Sequence, residues 1–134
     1  LSVQRSELEA ARAYYDRALP LYETIGARLG LANTLKALGD LHRARHEVAA
    51  AVERYEAALA LGAQIGDLVS QLNSLKGLAY AYQDMGEQAQ ACAYAQRLLA
   101  LADSHPFFKD HPVVAGWRRE FAGWGCQGVE APED

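Results

Sequence analysis

The feature that most constrains this chain is a self-similarity at a fixed offset of 40 positions. Ala11, Tyr15, Ala18, Leu19, Leu21, Ile25 and Gly26 recur as Ala51, Tyr55, Ala58, Leu59, Leu61, Ile65 and Gly66. Asn33, Leu35, Lys36 and Leu38 recur as Asn73, Leu75, Lys76 and Leu78. Further on, Glu47, Ala49, Leu59 and Leu61 return as Glu87, Ala89, Leu99 and Leu101. An offset that persists without slipping is the mark of a repeat array, whose units bury their apolar sides only by stacking on one another.

Each unit reads as two antiparallel helices. In the central unit Leu31, Leu35, Leu38 and Leu41 fall at helical spacing and predict one apolar stripe. A break follows around residues 45–47. A second helix over about residues 47–63 then turns Val48, Val52, Tyr55 and Leu59 inward. Gly62 and Gly66 suit its C-terminus, and Asp67 suits the N-cap of the next helix. The following unit places helices over about 68–84 and 87–102, with Met85-Gly86 as the turn. Upstream, Ser6 and Glu9 have capping-box spacing and predict a helix from there to about residue 24. Composition agrees with this reading. Hydrophobic residues make up 51% and charged residues 22%, enough apolar surface to fold. No proline interrupts residues 21–105.

These residues resemble the tetratricopeptide repeat family. The central unit carries the pattern on Leu35, Leu38, Gly39, Ala51, Tyr55 and Ala58, and the next on Leu75, Leu78, Ala79, Tyr82, Ala91, Ala95 and Leu98. The first unit supplies only a second helix, through Ala11, Tyr15 and Ala18. His42, Ala79 and Ala95 depart from the usual residues, and the step is 40 rather than the usual 34. That longer step resembles the variant in Pins-type adaptors, kinesin light chains and bacterial multidomain regulators. The resemblance implies an all-α fold, a right-handed superhelical stack of antiparallel helix pairs. About six helices are expected, including a C-terminal capping helix. Its expected divisions are a partial repeat over 6–26, repeats over 27–66 and 67–106, a capping helix over 107–124 and a frayed tail over 125–134.

The capping assignment comes from the residues after 103, which leave the pattern. Pro112 suits a helix start, and Val113, Val114, Trp117, Phe121 and Trp124 form an apolar stripe for packing on the last pair. Arg118 and Arg119 stand where Leu-Gly would admit a further repeat, so this helix is expected to close the array. The amino end lacks a matching cap, which leaves an apolar face open to self-association. Because the first residue is Leu1 rather than Met, the chain is expected to be part of something larger.

The resemblance implies a scaffold that binds a peptide or partner protein on a concave groove lined by first helices, and no enzymatic activity. Carried over by position, the groove residues are Asn33, Lys36, Ala37, Asp40 and Arg43, then Asn73, Lys76, Gly77, Tyr80, Gln83 and Asp84. Core packing does not demand the duplicated Asn33/Asn73 and Lys36/Lys76, which suit a peptide backbone and carboxylates. Asp40 and Tyr80 stand where a carboxylate clamp for chaperone tails would use asparagine. Two further roles stay open: a structural or self-association module, and a peptide-sensing regulatory domain.

Other chemistry finds little support. A net charge of −4 lacks the basic footprint of a nucleic-acid binder, and no apolar run reaches membrane-spanning length. No signal or transit peptide is visible. No cofactor is expected. His42 and His46 have the i, i+4 spacing of metal ligands but lack a third ligand, so they are expected to be packing or surface residues. Glu7/Glu9 and Glu53/Glu56 read as exposed helix charges rather than an acid/base pair. Cys92 and Cys126 are too few and too irregularly placed for a disulfide framework or zinc site. Cys92 is expected as a small buried side chain, Cys126 in a loose tail, and the compartment as a reducing cytoplasm.

Overall fold

The computed structural model describes the backbone of residues 2–25 and 27–132, and the side chains of 7–20 and 27–132. The described residues form seven helices: α1 (Ser2–Ile25), α2 (Arg28–Ala44), α3 (Val48–Ile65), α4 (Leu68–Asp84), α5 (Gln88–Asp103), α6 (Pro106–Lys109) and α7 (Pro112–Gly123). No strand occurs among them. The helices pack in adjacent pairs, α2 with α3 and α4 with α5, as a helical-repeat solenoid. The 40-residue step survives in the starts of α2 and α4, and of α3 and α5.

Local chemistry ends α2, α3 and α4 in a similar way. After α2, α3 and α4 the chain reverses through a residue at positive φ: His46, Gly66 and Gly86. The following amide then reaches back to the last turn, as in Glu47 to the His42 carbonyl and Glu87 to that of Tyr82. Asp67 caps α4 as expected, its carboxylate accepting the Ser70 amide at 2.9 Å. The expected start of α1 at Ser6 does not hold, because the helix runs continuously from Ser2. The Ser6 side chain, like those of Leu21 and Ile25 and the whole of Gly26, lies outside the described residues.

The core falls into two clusters, one around Tyr55 and Leu78 and one around Leu98 and Phe121, with the partly buried Leu59 and Tyr94 packed against both. Leu38, Leu78 and Leu98 are wholly buried, each contributing about 1.5–3 kcal/mol relative to exposure. In α2 the buried face is Ala32, Thr34, Leu38, Gly39 and His42, while Leu31, Leu35 and Leu41 are only partly covered. The predicted leucine stripe is thus rotated toward the small residues, because close approach of α3 selects for low volume there. Tyr55 explains that selection. Its ring inserts between α2 and α4, and a Cβ added at Gly39 or Gly77 would stand 2.6 Å or 2.4 Å from its Cε1. Gly77 is therefore a buried packing position rather than the groove residue expected from register.

The C-terminal region departs most from expectation. The capping helix expected from Pro112 is α7, Pro112–Gly123, and a one-turn helix, α6, precedes it over Pro106–Lys109. Phe121 is buried, and Trp117 and Trp124 are half-buried against the α4–α5 core. Arg118 binds Asp103 at the end of α5. The tail is not loose over its first residues. Cys126 is buried and forms a disulfide with the half-buried Cys92 of α5, their Cα atoms 5.2 Å apart. Sequence reasoning missed this pair because the two residues meet only once α7 has folded back on α5. The reducing compartment inferred from unpaired cysteines loses its premise with it. No helix among the described residues is long and apolar enough to cross a membrane.

Candidate interaction face

The residues expected to bind a partner lie on α2 and α4, which touch each other, and the face continues onto α7 through Tyr80. Helical spacing sets Lys36, Asp40 and Arg43 on one side of α2, and Asn73, Lys76, Tyr80, Gln83 and Asp84 along α4. Asp40, Tyr80 and Glu120 occupy the same position in three successive units, 40 residues apart. The stack therefore brings one row of three helices into register.

These side chains are bound to one another in a chain of polar contacts. Lys36 Nζ lies 2.8 Å from Asp40 Oδ2, and the Tyr55 hydroxyl donates to Asp40 Oδ1 at 2.5 Å. Arg43 Nε donates to Asp84 Oδ2 at 2.7 Å, and its guanidinium carbon stands 5.0 Å from the Tyr80 ring centroid. The Tyr80 hydroxyl donates to Glu120 Oε1 at 2.5 Å, and its ring packs edge-on to Trp124. At the outer edge Lys76 Nζ lies 6.0 Å from the centre of the Trp117 ring. Three cations and three carboxylates are thus shared along the face, leaving no net formal charge among them.

The titration behaviour follows from these contacts. Burial, then the bond to Asp40, raises the Tyr55 hydroxyl well above the ordinary phenol range. Burial and the bond to Glu120 push Tyr80 up to about 12. Burial works against the Arg43 charge, but hydrogen bonding and attraction to Asp84 overcome it and hold the guanidinium above its ordinary value. All three groups keep their protons at neutral pH, and the contacts above persist there.

The expected residues fall into two sets. Lys36, Asp40, Arg43 and Tyr80 are engaged in the contacts described. Asn33 and Gln83 are exposed and Asn73 is partly so, and their amides make no hydrogen bond among the described residues. Lys76 has an aromatic neighbour and no carboxylate within salt-bridge distance among the described residues. Beside Arg43 a cleft of about 560 Å³ is lined by Asp40, Arg43, Ala44, His46 and Asp84. Glu120 and Trp117 were not among the expected face residues, although carrying the 40-residue step one unit further would have found Glu120. His42 is buried, and its Nδ1 meets Glu47 Oε1 at 2.9 Å, so that nitrogen is occupied by the turn it supports.

The architecture of helix pairs, small residues at the close approaches and short glycine-bearing reversals agrees with a family comparison. Residues 3–64 match the tetratricopeptide repeat family. The match spans nearly all of α1, the whole of α2 and all but the last residue of α3. Beyond the match, α4 and α5 repeat α2 and α3 one step on. Tetratricopeptide repeats generally mediate protein–protein interactions. No relative among curated proteins matches the chain.

Proposed function

We propose that the α2–α4–α7 face is the concave surface of a tetratricopeptide scaffold and binds an extended or helical peptide segment of a protein partner. The observation that carries this reading is the duplicated set of open polar groups. Asn33 and Asn73 stand one repeat apart with amides uncommitted among the described residues, which suits a peptide backbone. Among the described residues Lys76 has no carboxylate within salt-bridge distance, so an acidic residue on the peptide is the complement it favours. Lys36 contributes less, since it already answers Asp40. The 40-residue step supports a place among the long-repeat variants that act as binding modules of larger proteins, and the reading assigns no catalytic role.

The test is selection of acidic peptides from a displayed library, followed by titration of a selected peptide against variants. Lys76→Glu should weaken binding at least tenfold, and Lys36→Glu by less. Asn33→Ala with Asn73→Ala should weaken peptides of any charge. Unchanged affinity in all of these variants rejects the assignment. A second reading has its own observation: Tyr14 and Leu29 are large apolar residues left 62% and 47% exposed near the amino end. They favour self-association there. Light scattering decides, since a dimer abolished by Tyr14→Ser and Leu29→Ser supports this second role and a monomer at high concentration removes it.

A further inference from the structure

Three successive turns of α5 hold the segment that follows α7. Gln88 Nε2 donates to the Trp124 carbonyl at 2.7 Å, Cys92 is bonded to Cys126, and Gln96 Nε2 donates to the Gln127 carbonyl at 2.6 Å. Gln88, Cys92 and Gln96 are spaced i, i+4, i+8 and so form one stripe along the helix. Residues 124–129 run beside that stripe as an irregular strap, with Val129 packed against the core. By the 40-residue step this segment sits one unit on from residues 84–89, where the second helix of the preceding pair begins. The strap therefore occupies the start of the place that a further second helix would take on α5.

We propose that the Cys92–Cys126 bond is a redox-operated latch that keeps this strap closed over α5. The argument is one of unequal attachment. The strap has no regular secondary structure of its own, and its turns contain Gly125 and Gly128 at positive φ, residues with much freedom to regain when released. Beyond Trp124, which packs with α7 on Tyr80 and Phe121, its other ties are two exposed side-chain hydrogen bonds, which water can replace at little cost, the backbone bonds from Cys126 N to the Phe121 carbonyl and from Val129 N to that of Cys126, and a partly buried valine. The disulfide is the one bond that solvent cannot exchange. The helices beneath depend on it far less, because α4 and α5 are held by their own buried leucines.

Opening requires a dithiol reductant. One reductant thiolate attacks Sγ of Cys92, the less buried residue of the pair, and the Cys126 sulfur leaves as thiolate and takes a proton. The second reductant thiol then attacks the mixed disulfide and releases the Cys92 thiol. Two electrons and two protons pass to the protein, and the dithiol becomes a disulfide.

Hydrogen exchange by mass spectrometry on the whole chain, with and without dithiothreitol, tests the latch. Reduction is expected to raise exchange of the Cys126 and Val129 amides at least tenfold, to change residues 28–84 less than twofold, and to open Cys126 to iodoacetamide. The double variant Cys92→Ser with Cys126→Ser should match the reduced protein. Gln88→Ala with Gln96→Ala, left oxidised, should keep the strap protected within twofold. The proposal is overturned if reduction leaves strap exchange unchanged, or if protection collapses through residues 28–84 as well. Two free thiols in air-equilibrated protein, or a strap lost in the glutamine variant with the disulfide intact, would also overturn it.

Discussion

Substituting Gly77 by alanine is the sharpest test of how the pairs are stacked. The new Cβ would lie 2.4 Å from Cε1, 2.6 Å from Cζ and 2.7 Å from Cδ1 of Tyr55, all well inside van der Waals contact. The ring cannot swing clear, because Gly39 approaches the same edge from α2, with a Cβ position 2.6 Å from Cε1. Moving it would also disturb the bond from its hydroxyl to Asp40. Overpacking of this kind costs about 1–3 kcal/mol, against a gain of about 1 kcal/mol from replacing glycine inside a helix. The net expectation is a loss of about 0–2 kcal/mol, or a fall in Tm of up to about 8 °C for a domain of this size. Urea denaturation followed by circular dichroism measures it. Gly116→Ala in α7 is the control, since its Cβ would meet nothing within 4 Å and the helix gain should appear alone. A Gly77→Ala protein that gains as much stability as Gly116→Ala would show that Tyr55 is not wedged between α2 and α4.

Two other perturbations follow from named contacts. Tyr55 keeps its proton in the fold to a higher pH than in the unfolded chain, so above about pH 10 the unfolded state binds fewer protons and stability falls by about 1.4 kcal/mol per pH unit. Tyr55→Phe should lower stability at pH 7 by about 1 kcal/mol and flatten this alkaline decline, which a urea series from pH 8 to 11 would read. His46 has φ 62°, the position that Gly86 fills at φ 74° one repeat later. His46→Gly should therefore stabilise by about 0.5–1 kcal/mol and Gly86→Ala destabilise by about 1 kcal/mol, both visible as opposite shifts in urea midpoint.

Much of the fold was legible because it is written locally. Helix α4 has the limits its pattern predicts, Asp67 caps it, and Met85-Gly86 turns it, each a matter of residues within one helical turn. The same local logic erred at α1, where one capping-box match at Ser6 was not enough to stop a helix. On the candidate face, register alone placed Lys36 and Arg43 on α2 and Asn73 and Lys76 on α4. It did not say which of them would be occupied.

What the amino-acid sequence determined by itself is the helix-pair repeat and its 40-residue step, because periodicity and caps act over about four residues. Tertiary structure alone decided that Arg43 would be tied to Asp84 and Tyr80 to Glu120, 41 and 40 positions away. It also decided that Cys92 would find Cys126 across 34 positions, and that Gly77 rather than Ala79 would receive the Tyr55 ring. Each of those contacts depends on the spacing and rotation with which one pair settles on the next, quantities set by the packing of many side chains together and encoded in no single short stretch.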